Sequence, residues 1–295
     1  MLHGISAFIF LIFSVTAYAQ NPITKYSEVK DFINQTAIKY PQNVRIINVG
    51  DSDSGDVILG LQIGNGPTHN LVVGTHHGNE YGSTAVAAAF ALALAANPIP
   101  DQTVYVIPVL NISGYNSRNR YETTQGRSKD PNRDYPGPCG TEGPFHLKST
   151  ANLARFIQEK NIITSATMHT YFPAVVYPWG ISTHQTGTLF DTVFQQLARA
   201  AVQESRYAIG NSTQMIYPAD GTFEDYAYWH HGIWSMLFEI GNSHSPTQSA
   251  ISHMISVNVP GLRRMLEIAP KARAPNHAFT GQCSSHLKVL DLHNE

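Results

Sequence analysis

Four short segments, mostly apolar and broken only by a few polar residues, constrain this chain more than anything else in it. Leu71–Gly74, Val104–Leu110, Ile162–Met168 and Trp234–Ile240 are of strand length and show no polar alternation. A strand apolar on both sides must be covered on both sides, which is the condition of a sheet buried between helices. Segments of helical period lie between them. Tyr26–Tyr40 places Val29, Phe32, Ile33, Ala37 and Ile38 on one stripe, with Ser27 as a candidate cap. Further helices are predicted at Ser83–Ala96, stopped by Pro98, and at Thr150–Lys160, Leu189–Ser205, Phe223–His230 and Thr247–Leu266. Val44–Val49 and Val57–Ile63 read as two more strands, split by the turn-rich Gly50–Asp56. The expected fold class is α/β: a single domain whose mixed, mostly parallel central sheet is flanked by helices on both faces. No repeat, low-complexity block or linker divides it.

Both ends of the chain read differently. Residues 1–19 carry an apolar run, Ile5–Thr16, followed by Ala17-Tyr18-Ala19, small residues at the positions that favour signal cleavage. The expectation is an exported protein, periplasmic or secreted, with a main domain over 20–270 and an irregular tail over 271–295. In an oxidising compartment Cys139 and Cys283, the two cysteines of the chain, are candidates to pair and tie that tail down. A formal net charge of −2 gives no electrostatic reason to expect a nucleic-acid partner. No stretch after the leader is long and apolar enough to anchor the chain in a membrane.

In a sheet of this kind the chemistry lies beyond the carboxyl ends of the strands. Three such ends carry unusual residues. Gly74-Thr75-His76-His77-Gly78-Asn79-Glu80 offers an imidazole and a carboxylate three residues apart; His76 in place of His77 is an alternative that strand alternation leaves open. Met168-His169 supplies a second imidazole, and Phe238-Glu239 sets a carboxylate at the end of an apolar strand, where it is costly unless paired or working. Two histidines and a glutamate are the ligand set of hydrolytic zinc sites, and a further carboxylate can take a proton from the attacking water. Residues Asn111–Pro144 form a long polar stretch of the kind that is usually functional.

Over roughly Tyr26 to Leu266 the sequence resembles the zinc carboxypeptidases of the pancreatic type, a family that includes bacterial peptidoglycan-cleaving enzymes. The resemblance rests on several motifs in order: Lys39-Tyr40-Pro41 with Asn48-Val49-Gly50-Asp51-Ser52; the His-x-x-Glu of His77 and Glu80; Asp130-Pro131-Asn132-Arg133; His169-Thr170-Tyr171 through Tyr177-Pro178-Trp179-Gly180; Tyr217; and Phe238-Glu239. It implies one zinc ion held by His77, Glu80 and His169, with Glu239 as the catalytic carboxylate. It implies that Asn132, Arg133 and Tyr217 hold the free C-terminal carboxylate of a peptide substrate, as a guanidinium can do with two parallel bonds. Arg120, nine residues after Asn111, takes the oxyanion-stabilising role, with Arg118 in reserve. Asp134 departs from the second asparagine common in the family.

Glu224 falls at the position that selects the substrate side chain, and an acidic residue there goes with a cationic one: Lys, Arg or diaminopimelate. The alternative is a solvent-facing Glu224 on a surface helix with Asp225. The resemblance also implies an enzyme without the family's N-terminal pro-segment. Three other readings compete. They are a peptidoglycan stem-peptide amidase, an aspartoacylase-like deacylase, and a non-catalytic zinc protein that binds carboxyl termini. Of the 14 histidines only His77 and His169 carry this argument, by position and not by number.

Overall fold

From residue 23 onward, strands and helices alternate along the chain. A computed structural model describes residues 23–141, 144–181 and 187–283; the expected leader lies outside them. In chain order the elements are α1 (Tyr26–Lys39), β1 (Val44–Asp51), β2 (Val57–Gly64), β3 (Thr68–Gly74), α2 (Tyr81–Ala96) and β4 (Gln102–Ile107). Then come α3 (Ile112–Ser117), β5 (Glu122–Thr124), β6 (Arg127–Lys129), α4 (Lys148–Glu159), β7 (Thr164–His169) and β8 (Ala174–Tyr177). The last are α5 (Asp191–Ala201), β9 (Ala208–Asn211), α6 (Ser212–Met215), α7 (Phe223–His231), β10 (Trp234–Glu239) and α8 (Gln248–Ile268).

Eight strands form one sheet in the order β1-β2-β4-β3-β7-β10-β8-β9. The neighbours β4, β3, β7 and β10 run parallel, and β1, β2 and β8 join antiparallel. All four apolar segments of the sequence lie in this parallel middle. Leu71, Val72, Val73, Val106, Ala166, Met168, Met236 and Phe238 are fully buried there. Helices α2 and α5 both pack on α8, α4 packs on β1 and α7 on β10. Among the described residues no helix is long and apolar enough to cross a membrane.

Three local differences from the sequence reading have simple causes. Helix α1 is capped at Lys25 and not at Ser27, because the Glu28 carboxylate reaches back to accept from the backbone N–H of Thr24 (2.7 Å) and Lys25 (3.0 Å). Strands β8 and β9 have only four residues each and are fixed by sheet neighbours, so local pattern does not distinguish them from loop. The stretch after Asn111 is not a plain loop. It holds α3, the β5–β6 hairpin and a tight helical turn at Pro131–Arg133.

The tail is irregular but docked. Arg273 donates to the carbonyls of Ile157 and Ile162, Ala274 N–H to Gly232, and Trp179 Nε1 to Thr280 Oγ1. Cys139 and Cys283 are bonded, with Cα atoms 5.5 Å apart. Through residue 283 the tail therefore belongs to the same folded body as the sheet, and residue 270 marks a change of regularity only. The bond closes a loop of 144 residues. Its removal by Cys139→Ser is expected to cost about 2–4 kcal/mol, lowering the thermal midpoint by roughly 5–10 °C. An unchanged midpoint by calorimetry contradicts this.

Candidate active site

The register of the parallel strands assembles the site. In the β7–β10 pair His169 stands opposite Glu239, and in the β3–β7 pair Gly74 stands opposite Met168. The chain leaving β3 thus enters its turn beside His169. Thr75 holds φ +59°, a conformation uncommon for a residue with a Cβ. Its hydroxyl is fixed by Ser83, Thr84 and the Pro108 carbonyl. Gly78 is obligatory, since a Cβ there would lie 2.1 Å from the Gly114 backbone. This tight turn delivers His77, and Glu80 sits at the N-terminus of α2.

His77, Glu80 and His169 converge and are buried. The Glu80 carboxylate lies 2.8 Å from His77 Nδ1 and 3.2 Å from His169 Nδ1, and the two nitrogens are 3.2 Å apart. Two ligands at about 2.0 Å on a tetrahedral zinc stand roughly 3.3 Å from each other, so the donor set is spaced for such an ion. The electrostatics agree. Burial works to lower the His77 pKa, but Glu80 and Asp130 overcome it and raise it to about 9. Burial works to raise Glu80, yet the two imidazoles hold it below its ordinary range. The pocket therefore favours a positive charge among these three side chains.

His76 lies outside this set. Its ring stacks on His169 and its Nε2 is 3.1 Å from the Tyr135 hydroxyl. Glu239 faces the same cavity. Burial, reinforced by Glu80, pushes its pKa up to about 7, and Oε2 is buried without a partner. Such an orphan calls for a functional explanation, and a carboxyl with that pKa is suited to accept and return a proton near neutrality.

Asp130 was quoted in the sequence only as part of a motif, yet it organises the cluster. Its carboxylate takes His77 Nε2 at 2.9 Å, Arg120 Nε at 2.9 Å and the backbone N–H of Asn132 at 2.9 Å. A carboxylate on the far nitrogen of a ligating histidine fixes ring orientation and basicity. Arg120 extends from Asp130 to within 4.0 Å of Glu80. The Asn111 side-chain amide donates to the carbonyls of Arg120 and His76, which ties the arginine backbone to the turn after β3. Arg118 instead caps α3 with φ +58° and stacks on Tyr81.

A cavity of about 230 Å³ opens beside this cluster. Arg133 and Tyr217 stand at its mouth, guanidinium to phenol oxygen 3.1 Å, and Asn132 lies further in. Glu224 lines the cavity and is only 2% exposed, which overturns the solvent-facing alternative. Its carboxylate accepts from the Thr167 hydroxyl and, at 3.5 Å, from Asn132 Nδ2, and no Lys or Arg pairs with it among the described residues. Asp225 turns away to the Gly180 N–H, and burial together with Glu224 pushes it up to about 8. Asp134 explains its own departure from asparagine. It accepts from the backbone of His146 and Leu147 and from Thr150, pinning the entry to α4.

The sequence profile of the zinc carboxypeptidase family matches residues 29–261. The chain belongs to the zinc carboxypeptidase family. It is 25% identical over 252 residues to carboxypeptidase B of Astacus astacus, covering 70% of this chain and 82% of the relative. It is 25% identical over 271 residues to human carboxypeptidase B, covering 76% of this chain and 64%, under two thirds, of that longer protein. Bovine thrombin-activatable fibrinolysis inhibitor, solved with a tick carboxypeptidase inhibitor, shares the fold at a TM-score of 0.76. It is 20% identical, over 84% of this chain and 97% of that one. Enzymes of this family use one zinc ion and act on peptides that end in a free carboxylate, and the three converging side chains fit that ion.

For this carboxypeptidase fold, Asp130→Asn is expected to weaken zinc roughly 10–100-fold. Competition against a chelator measures it, and unaltered affinity removes Asp130 from the site.

Proposed function

We propose that the chain is an exported zinc carboxypeptidase that releases a C-terminal residue with a cationic side chain. The observation that carries the specificity is Glu224, a buried carboxylate lining the cavity with no cationic partner among the described residues. Ile216, Ala219 and Leu237 give the cavity apolar walls suited to a methylene stem. An ammonium or guanidinium arriving there meets a desolvated carboxylate, where charge complementarity is strongest. Diaminopimelate fits less well than Lys or Arg, because its distal carbon carries a carboxylate that would face Glu224.

In this reading Arg133 and Tyr217 take the terminal carboxylate at the mouth, with Asn132 beside them. Zinc, when bound, polarises the scissile carbonyl and lowers the pKa of water. Glu239 receives the proton from the attacking water and returns it to the departing amine nitrogen. Arg120, braced by Asp130, meets the negative charge that builds on the carbonyl oxygen. The paired Arg133 and Tyr217 favour a peptidase over an aspartoacylase-like deacylase, and the orphaned Glu239 oxygen favours an enzyme over a binding protein. The bonded cysteines favour an oxidising compartment.

The test is a panel of peptides, stem peptides of peptidoglycan included, that differ only in the last residue, with released amino acids identified by mass spectrometry. Lys and Arg are expected to be released at least tenfold faster than Phe. Glu224→Gln is expected to reduce that preference by about 30-fold, the loss of one charge-assisted contact of about 2 kcal/mol. Preferential release of an apolar residue, or of diaminopimelate, contradicts the reading.

A further inference from the structure

Glu122 is a fully buried acid that none of these steps uses. It opens the β5–β6 hairpin, whose other residues are partly or wholly exposed. Arg120 lies two residues before it. Its register partner across the hairpin is Lys129, and Asp130 follows directly. The hairpin base therefore sets how Arg120 and Asp130, ten residues apart in sequence, meet over His77 and Glu80. One side of that base is pinned by Asn111 and Gly78, which bond the Arg120 carbonyl. On the other side the buried hold is Glu122, whose Oε2 takes the Ser149 hydroxyl in the first turn of α4 at 2.5 Å.

We propose that Glu122 is a positioning residue for the reaction: held by the Ser149 hydroxyl, it seats the hairpin on α4 and so aims the Arg120–Asp130 pair at the metal ligands. Burial favours its neutral form. Oε1 is buried with no hydrogen-bond partner. Lys129 stands across the hairpin from Glu122, while Asp53 from the turn after β1 and Asp134 from the segment before α4 bring negative charge close to it. His146 is bonded to Asp134, and Lys148 meets Asp53 through its backbone N–H. Burial, with Asp53 and Asp134, raises the Glu122 pKa to about 7 against the opposing Ser149 hydroxyl and Asp53 backbone. With the folded pKa above the ordinary carboxyl value, the stabilisation is complete in acid. It is lost progressively as pH rises toward 7, beyond which a bare charge sits in the hairpin base.

The test compares the zinc-loaded wild type, Glu122→Gln, Glu122→Ala and Ser149→Ala by kcat and KM between pH 5.5 and 9, with zinc content and thermal midpoint recorded for each. Glu122→Gln, neutral at every pH, is expected to keep kcat near pH 6 and to lose part of the wild-type decline above pH 7. Its midpoint should exceed the wild type's at pH 8 but not at pH 5. Glu122→Ala and Ser149→Ala are expected to lower kcat of the zinc-loaded enzyme by about tenfold or more with KM little changed, as a misaimed transition-state contact does. A Glu122→Gln profile that superimposes on the wild type across the range overturns the proposal. So does unchanged kcat in the folded Ser149→Ala enzyme.

Discussion

The parallel pairing of β7 with β3 on one side and β10 on the other is the constraint on which the site depends. Side chains in a parallel ladder cannot slip by one residue without turning every buried residue to the opposite face. Val72, Ala166 and Met236 are fully enclosed at one level of this ladder, and the same register brings His169 and Glu239 together at its end. The turn after β3 has no freedom either, since Gly78 lies against the α3 backbone and Thr75 is tied on three sides. Burial of a hydrophobic sheet thereby places two imidazoles and the Glu80 carboxylate within bonding reach of one another, with Glu239 facing the same cavity.

That placement sets an electrostatic problem. Glu80, Asp130 and Glu239 surround the imidazoles in a poorly hydrated space, and buried carboxylates are unfavourable unless compensated. Arg120 compensates part of the charge from the rim, and His77 is driven toward its protonated form. A divalent cation in the same position completes the balance. The Glu224 carboxylate is a separate case, since among the described residues it has hydroxyl and amide donors but no cation. In the proposed function the substrate itself brings the missing charge, which couples recognition to the desolvation of the cavity.

The sequence made the sheet and the ligands legible for different reasons. The parallel strands announced themselves because apolar residues on both faces leave few other structures. The ligands emerged because His77, Glu80, His169 and Glu239 stand at the ends of such strands. What could not be read locally depends on partners distant in the chain. Strands β8 and β9 exist through their neighbours, and the cap of α1 is set by Glu28 reaching back. The roles of Asp130 and Asn111 are invisible as single polar residues, since each acts by bonding groups brought together only by the fold. Glu122 looks like one more surface charge in a polar stretch, and only its packing against Ser149 reveals it as buried. The exposure of Glu224 was undecidable from helical position, because Asp225 beside it is buried as well.

The most direct test of the account is to measure zinc stoichiometry and peptide turnover together in Glu239→Gln. The substitution removes the proton acceptor and leaves His77, Glu80 and His169 untouched. The account predicts one zinc per chain, a wild-type thermal midpoint and turnover reduced by roughly 10³-fold or more, the scale of a lost general base together with its charge. Turnover near the wild-type level in a zinc-loaded, folded variant would contradict it.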